Sequence, residues 1–187
     1  MYYSIEKFTP KLFKYPQIMR KVLFVCNLLI GLYCYGQNNI EISIQQDARL
    51  LFLGDKKGND ALTINLLSRV EFPVYSFKKN HLIASFSVEY ADLVKKNYTR
   101  YAFGAGFVVK SIYKKVGAGA YIDFGKIYRQ EEGFYSLSFS GELNYRINDR
   151  LKFICTSQFT QRKDLTVLYN SEKKYIVSGF IGVKYSL

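Results

Sequence analysis

The chain has 187 residues, of which 49% are hydrophobic and 17% aromatic, with 17 tyrosines, 15 phenylalanines, no tryptophan and three prolines. Such aromatic enrichment with so few prolines favours strands over helices. The formal net charge is +12, but the basic residues are spread over nearly every segment and do not gather on one stripe. This distribution argues against a nucleic-acid partner.

The cysteine and histidine content restricts the chemistry of the chain. Cys26 and Cys34 lie in an N-terminal apolar segment and only Cys155 lies beyond it, so no intramolecular disulfide can form once that segment is removed. One cysteine and the single histidine, His81, cannot build a metal site unless carboxylates supply nearly every ligand. We therefore expect no metal ion and no cofactor.

The N-terminal part of the chain has the features of an export signal. Residues 1–18 show no clear period, and we interpret them as a leader or a misannotated start. Residues 19–36 contain a methionine, an Arg-Lys pair, an apolar run and small residues before Gln37, which is the pattern of a cleaved secretory signal peptide. The apolar run is shorter than the roughly 20 residues that a membrane-spanning helix needs. The mature domain is then predicted to cover 37–187.

From residue 40 onward, apolar and polar side chains alternate in eight segments. They are 40–52, 61–74, 81–93, 98–112, 116–128, 134–147, 150–162 and 174–187. Successive side chains of a strand point to opposite faces, so each segment predicts a strand with one apolar and one polar face. Pro73 is expected to mark the end of the second strand, and the glycines of the fifth are expected to leave room for bulky neighbours. Short connections favour antiparallel, up-and-down order, because parallel strands need long crossovers.

The last segment carries a resemblance to a known family. Its final residues, Gly182 to Leu187, resemble the C-terminal assembly signal of bacterial outer-membrane β-barrels, in which hydrophobic residues follow a glycine by three and five positions. The chain thus resembles small eight-stranded outer-membrane barrels of the OmpA, OmpX and OmpW kind, and its lysine- and tyrosine-rich character resembles exported Bacteroidetes proteins. The resemblance implies an all-β, eight-stranded, antiparallel up-and-down transmembrane β-barrel in the bacterial outer membrane. It also implies the barrel-assembly machinery and outer-membrane lipid as partners.

Tyrosines near both ends of the apolar faces are the second sign of a membrane barrel, because tyrosine prefers the level where water meets lipid. Tyr135 and Tyr145 on the sixth segment, and Tyr175 and Tyr185 on the last, are spaced ten residues apart. That spacing corresponds to roughly 25 Å of height in a tilted strand, which matches the apolar band of such barrels. We predict that these four tyrosines form aromatic girdles.

The charged residues of the polar faces are predicted to point inward and to pair with one another. The candidate network consists of Glu41, Arg49, Arg69, Glu71, Glu89, Arg100, Lys110, Asp123, Glu142, Arg146 and Lys152. Glu142 and Arg146 are expected to find partners on neighbouring strands. Two interpretations stay open, a salt-bridged plug and a gated polar path, and the narrow lumen of eight strands favours the plug.

Connections are predicted to alternate between outer loops at 53–60, 94–97, 129–133 and 163–173 and inner turns at 75–80, 113–115 and 148–149. Three lysine pairs fall at the outer rim, where they could contact lipopolysaccharide phosphates: Lys56 and Lys57, Lys95 and Lys96, and Lys173 and Lys174. The alternative is that lysines only keep loops soluble, since the inner turns also carry lysine pairs, Lys78-Lys79 and Lys114-Lys115.

The predicted function is a non-enzymatic integral outer-membrane protein with a side-chain-filled polar lumen, acting as an envelope structural or surface-interaction protein with an unknown ligand. One alternative is a soluble lipocalin-like barrel that binds a small apolar ligand inside, since alternation alone cannot say which face is inner. Another is a lipid-A-modifying barrel enzyme. Such enzymes use a histidine at the outer rim, whereas His81 falls beside an inner turn.

Overall fold

The computed structural model describes residues 40–55, 58–94 and 96–187, and within them eight strands form a closed antiparallel barrel. The strands are β1 (Glu41–Asp47), β2 (Asn65–Phe77), β3 (Asn80–Ala91), β4 (Tyr98–Tyr113), β5 (Val116–Arg129), β6 (Glu132–Arg146), β7 (Leu151–Gln161) and β8 (Tyr175–Ser186). Each strand pairs with its sequence neighbours, and β1 pairs with β8 to close the ring. The predicted all-β, eight-stranded, up-and-down fold is confirmed. The proposed leader and signal peptide lie outside the described residues.

The two ends of the barrel differ in their connections. At the turn end, β2–β3 and β4–β5 are joined by tight turns at Lys78-Lys79 and Lys114-Lys115. At the loop end, the β1–β2 connection contains helix α1 (Ala48–Phe52) and the β7–β8 connection contains helix α2 (Lys163–Tyr169). Neither short helix among the described residues is long and apolar enough to cross a bilayer. The loop end is therefore the more elaborate surface of the barrel.

The apolar faces of the strands point outward and the polar faces point inward. Exterior side chains such as Phe139, Leu143 and Val183 are 50%, 60% and 46% exposed. Interior side chains such as Ser138 and Glu142 are almost fully buried. This arrangement inverts that of a water-soluble barrel, because the apolar residues surround the sheet and the charges fill it.

Glycines on the interior face of β4 and β5 provide the room that the packed interior needs. A Cβ at Gly106 would lie 2.6 Å from the Tyr121 ring, and one at Gly119 would lie 2.8 Å from its hydroxyl oxygen. Tyr121 itself is 3% exposed. The alternation of glycine with bulky residues thus lets one large ring cross the narrow lumen.

Several strand boundaries differ from the prediction for identifiable reasons. The first strand ends at Asp47, because the Asp47 carboxylate accepts a hydrogen bond from the Leu50 N–H at 3.0 Å and starts α1 there. Pro73 does not end β2, which continues to Phe77. The register shifts between Pro73 and Tyr75, and such an irregularity tolerates the missing proline N–H.

Candidate functional site

A turn-end cluster fills the barrel interior near the tight turns. We define it as Glu41, Glu71, Tyr121, Glu142, Lys152 and Lys184. The Lys184 ammonium lies 2.7 Å from Oε1 of Glu71 and 2.6 Å from Oε1 of Glu142, so one cation bridges carboxylates of two other strands. Lys152 pairs with Glu41 at 2.5 Å. The cluster thus joins β2, β6 and β8 through Lys184, and joins β1 and β7 through Lys152 and Glu41.

A middle cluster continues the network toward the loop end. We define it as Arg69, Ser85, Arg100, Asp123, Ser136, Ser138 and Ser140. Arg69 donates to Asp123 and to the Ser140 hydroxyl, both at 3.1 Å, and its guanidinium lies 4.2 Å from the centre of the Tyr121 ring. Arg100 donates at 2.8 Å to each of Ser136 and Ser138. The small serines therefore hold two long arginine side chains across the lumen.

A loop-end cluster closes the interior beneath α2. We define it as Glu89, Tyr98, Arg129, Gln158, Arg162 and Asp164. Arg162 donates two hydrogen bonds to Asp164, at 2.9 and 3.0 Å, and Arg129 lies 3.0 Å from the same carboxylate. The Tyr98 hydroxyl donates to Glu89. Asp164 is fully buried and belongs to α2, so these contacts fasten α2 over the mouth of the barrel.

Arg162 stays a cation in this buried place. Burial acts to lower the pKa of its guanidinium, but the nearby Tyr98 and Asp164 outweigh burial and raise its pKa above the ordinary value. The residue lies just beyond β7, on the connection that leads to α2. Its positive charge is thus a fixed feature of the loop end.

A cavity of about 450 Å³ lies beside the loop-end cluster. Its wall is formed by α1, by the connections at the loop end and by the ends of β1, β2, β4, β5 and β8. Arg49, Lys96, Arg129 and Arg162 supply positive charge to this wall, and Leu50, Leu165 and Ile176 supply apolar surface. Within the described ranges, no group of three or more His, Cys, Asp or Glu side chains is placed to hold a metal ion.

The barrel geometry matches the solved structure of an outer-membrane protein. The outer-membrane protein Ail of Yersinia pestis, in a phospholipid bilayer nanodisc, aligns over 80% of this chain and 99% of its own, with a TM-score of 0.51 and 15% identity. The chain has the fold of a small outer-membrane β-barrel. Neisserial surface protein A aligns over 80% of this chain and 96% of its own with a TM-score of 0.44 and 9% identity. No protein-family model matches the sequence, and no curated protein sequence matches it.

The outer-membrane-type barrel brings together eight of the residues proposed for the lumen network. They are Glu41, Arg69, Glu71, Glu89, Arg100, Asp123, Glu142 and Lys152, which all take part in interior ion pairs. The partner of Glu142 is Lys184. Arg146, for which a partner on a neighbouring strand was expected, is half-buried and makes no ion pair among the described residues.

Arg49 and Lys110 do not join this network. Arg49 lies in α1 and its side chain is exposed, because the chain leaves the sheet at Asp47. Lys110 has the parity of an interior residue of β4. It is nevertheless exposed, because the β4–β5 pairing becomes irregular between Val109 and Tyr113 and this part of the strand extends to the rim of the turn end.

Four central residues of the interior were not among the candidates: Arg129, Arg162, Asp164 and Lys184. Lys184 has the same sequence signal as the others, a charge on the polar face of an alternating segment, so the pattern could have identified it. Asp164 had no such signal, because it reaches the lumen only when α2 folds back over the barrel. Arg129 was assigned to a loop, although it ends β5 with its side chain inward.

The four proposed girdle tyrosines all lie on the exterior. Tyr135 and Tyr175 lie near the loop end and are 61% and 49% exposed, whereas Tyr145 and Tyr185 lie near the turn end and are 50% and 41% exposed. Other exterior aromatic residues join them, namely Tyr101 and Tyr128 at the loop end and Tyr75, Phe77 and Tyr113 at the turn end. Two aromatic bands therefore border the apolar surface.

The proposed lipopolysaccharide contacts are only partly described. Lys56, Lys57 and Lys95 lie outside the described residues. Lys96 lies at the loop end with its ammonium 4.4 Å from the Tyr169 ring centre. Lys173 and Lys174 are exposed where the chain enters β8.

Proposed function

We propose that this chain is a non-enzymatic integral protein of the bacterial outer membrane, inserted by the barrel-assembly machinery after cleavage of a signal peptide. It serves as an envelope structural or surface-interaction protein, with its loop end toward the outside and its lumen plugged. The single observation that carries this proposal is the inverted barrel, apolar outside and charged inside, with an aromatic band at each end.

Exposure of this apolar exterior to water would be strongly unfavourable. Monomeric soluble proteins rarely expose contiguous apolar patches larger than a few hundred Å², whereas here every strand turns its apolar face outward. A lipocalin-like carrier needs an apolar interior, and this lumen is filled with buried Arg, Lys, Glu and Asp side chains. The distribution of polarity therefore supports lipid, rather than water, around the barrel.

The interior supports a plug in preference to an ion path. Eight strands enclose an interior just wide enough for side chains. Here Lys184, Arg69 and Arg100 are 1% exposed and span the lumen at successive levels. An ion path through them would require several buried salt bridges to open together, which favours a plugged lumen.

The position of His81 supports the non-enzymatic assignment. His81 is the only histidine of the sequence and lies at the turn end, where its Nδ1 is 2.7 Å from the Ser76 hydroxyl. A lipid-A hydrolase site at the loop end would have to do without a histidine base. The loop end thus offers charge and surface for recognition rather than a hydrolytic triad.

Lipopolysaccharide is the proposed lipid partner at the loop end. Lysine binds phosphate as a point charge, and each basic residue near an anionic surface gains about 1 kcal/mol. Changing Lys56, Lys57, Lys95, Lys96, Lys173 and Lys174 together to glutamine should weaken lipopolysaccharide co-purification. Changing Lys78, Lys79, Lys114 and Lys115 at the turn end should not. An equal loss of co-purification from both sets of variants, or no loss from either set, would mean that the loop-end lysines make no specific contact with lipopolysaccharide.

The membrane proposal is tested by extraction and migration. The chain should fractionate with outer membranes and migrate at two positions on a gel, one when unheated and folded and another after boiling. It should show no steady ion conductance in a planar bilayer if the lumen is plugged. Recovery of the chain as a soluble periplasmic protein with a bound apolar ligand would refute the membrane assignment.

A further inference from the structure

The wall of the loop-end cavity carries more basic than acidic side chains. Four basic residues, Arg49, Lys96, Arg129 and Arg162, lie on its wall. Two carboxylates share that wall. Asp47 accepts hydrogen bonds from the Leu50 N–H and the Asn65 amide, and Asp55 accepts from Asn59.

The Asp164 carboxylate is the counter-charge near both arginines of the loop-end cluster. Arg162 holds Asp164 with two hydrogen bonds, whereas Nε of Arg129 is 3.0 Å from Asp164 without the alignment that a hydrogen bond requires. The Arg129 side chain is 1% exposed, and neither its Nε nor its Nη1 has a hydrogen-bond partner among the described residues. Buried donors without acceptors cost free energy, and Arg129 lines the cavity, so an acceptor that reached these donors from the cavity would be favoured.

The two guanidinium groups are held in place by their surroundings. The Tyr98 ring lies 4.2 Å from the Arg162 guanidinium and 5.1 Å from that of Arg129. Asp164 fixes both from the side of α2. Little side-chain freedom would be lost on binding, and such preorganisation favours affinity. The planar fork of arginine matches the oxygens of carboxylates and phosphates.

We propose that this cavity is a binding site for a small organic anion that carries one phosphate or carboxylate head and an apolar body. The head lies against Arg129 and Arg162, and the body lies against Leu50, Leu165 and Ile176. The volume of about 450 Å³ suits a small molecule and is too small for a polysaccharide or a whole lipid. Lys96, which is also proposed to contact lipopolysaccharide, lies on this wall, but the head is placed at Arg129 and Arg162.

The test uses phenyl phosphate as the probe and the full chain folded in a nonionic detergent. Calorimetric titration should show saturable binding at one site per barrel. Benzyl alcohol, which keeps the ring without the charge, and inorganic phosphate, which keeps the charge without the ring, should each bind at least about tenfold more weakly. Absence of saturable phenyl phosphate binding would overturn the proposal. Inorganic phosphate binding as tightly as phenyl phosphate would overturn the apolar half of it.

Three variants locate the site. Arg129→Gln should weaken phenyl phosphate binding about tenfold or more, because a charge-assisted donor is lost. Arg49→Gln should weaken it about threefold, and since Arg49 is exposed on α1 this variant keeps the test valid if Arg129→Gln does not fold. Lys163→Gln, at an exposed residue of α2 outside the cavity wall, is the matched control and should bind as the parent does.

Equal loss of affinity in Lys163→Gln and Arg49→Gln would show that binding follows general basicity, and the proposal would fall. Unchanged affinity in a folded Arg129→Gln barrel would also refute it. The gel shift on heating is recorded for each variant. A protein that never forms the barrel is thereby distinguished from a barrel that lacks the site.

Discussion

Lys184 shows how a single side chain can connect distant strands in this fold. Its ammonium contacts Glu71 on β2 and Glu142 on β6 while its backbone belongs to β8, and it also donates to the Tyr121 hydroxyl on β5 at 3.2 Å. The side chain is 1% exposed. Two carboxylates therefore share one buried cation, and no solvent replaces it if it is removed.

Replacing Lys184 with methionine should destabilise the barrel strongly. The substitution keeps the aliphatic bulk but leaves Glu71 and Glu142 buried without their cation, which costs about 3–5 kcal/mol. The free energy of unfolding, measured by urea titration of barrels in lipid vesicles, should fall by that amount. Further changes of both glutamates to glutamine should recover part of the loss.

Arg146→Ala is the matched control for that measurement. Arg146 also carries a cation on β6, but it is half-buried and has no ion pair among the described residues, so we expect a loss of about 1 kcal/mol or less. A loss in Arg146→Ala as large as in Lys184→Met would mean that net charge, rather than the buried bridge, decides stability.

The sequence could predict which residues face the lumen but not which of them pair. Lys184 and Glu142 are 42 residues apart, and Glu71 is 113 residues from Lys184. Their contact depends on the register of several strand pairs at once, which alternation does not specify. Glu142 and Arg146 were each expected to find a partner on a neighbouring strand. Lys184 instead reaches Glu142 across the lumen from β8.

At the scale of elements, the β5–β6 turn carries the clearest local strain. Gln130 and Glu131 have φ angles of +50° and +66°, which are the values of a type I′ hairpin turn. Side chains other than Gly, Asn and Asp adopt this region at a cost of about 1 kcal/mol each. The chain accepts this cost because the turn matches the twist of the two long strands.

Changing Gln130 to Asn and Glu131 to Gly should therefore stabilise the barrel by about 1 kcal/mol. Urea unfolding from vesicles would measure the gain. Glu132→Gly provides the control one residue further on, because Glu132 begins β6, where glycine should destabilise the strand. A gain from Glu132→Gly, or a loss from the turn variant, would contradict the role assigned to the turn geometry.

The Asp164 carboxylate is one of the contacts that hold helix α2 on the barrel. Asp164 contacts Arg129 and Arg162, and Leu165 is 8% exposed beside it. Asp164→Asn would leave two buried guanidinium groups without a counter-charge, so α2 should detach more often while the barrel persists. Trypsin should then cleave after Arg162 or Lys163 about tenfold faster than in the parent chain.

Glu172→Gln is the control for that experiment, since it makes the same chemical change at an exposed position of the same connection. Its cleavage rate should equal that of the parent chain. If Asp164→Asn were cleaved no faster than Glu172→Gln, α2 would be held by its apolar contacts and not by the ion pairs.

The strands were predictable because they are long, whereas the helices were not. Strands of 11 to 16 residues, such as β4, β6 and β7, show many cycles of alternation. Helix α1 has five residues and helix α2 has seven, so neither is longer than about two turns. Such short helices cannot establish a period of 3.6 in the sequence. In α1, moreover, the alternation of apolar and polar residues continues past Asp47, and the strand ends only because Asp47 caps the helix.

At the scale of the whole molecule, the polarity of the outward face of the strands decides whether lipid or water surrounds the protein. Alternation alone permits an apolar lumen or an apolar exterior. Glycines and serines on the polar faces favour the second arrangement, because a narrow interior needs small residues beside its long charged ones. The structure has that arrangement, with Gly106 and Gly119 beside Tyr121, and Ser136, Ser138 and Ser140 beside the arginines.

The height of the apolar band permits a test that separates lipid from water. On β6, Phe139 lies midway between Tyr135 and Tyr145, and Ile147 lies just beyond the end of the strand. Both side chains are about half exposed, 50% and 49%. In water, a lysine would be equally well solvated at either position and would change the free energy of unfolding little.

In a bilayer the two positions should differ. A lysine in place of Phe139 would lie near the middle of the hydrocarbon and should cost about 2–4 kcal/mol, whereas Ile147→Lys near the interface should cost about 0–1 kcal/mol. Urea unfolding of both variants from the same lipid vesicles would measure the difference. A Phe139→Lys barrel as stable as Ile147→Lys would mean that the exterior of the sheet does not lie in lipid, whatever its composition. A larger loss at Phe139 than at Ile147 would instead support the position of the aromatic bands at the two surfaces of the membrane, because the apolar band lies between them.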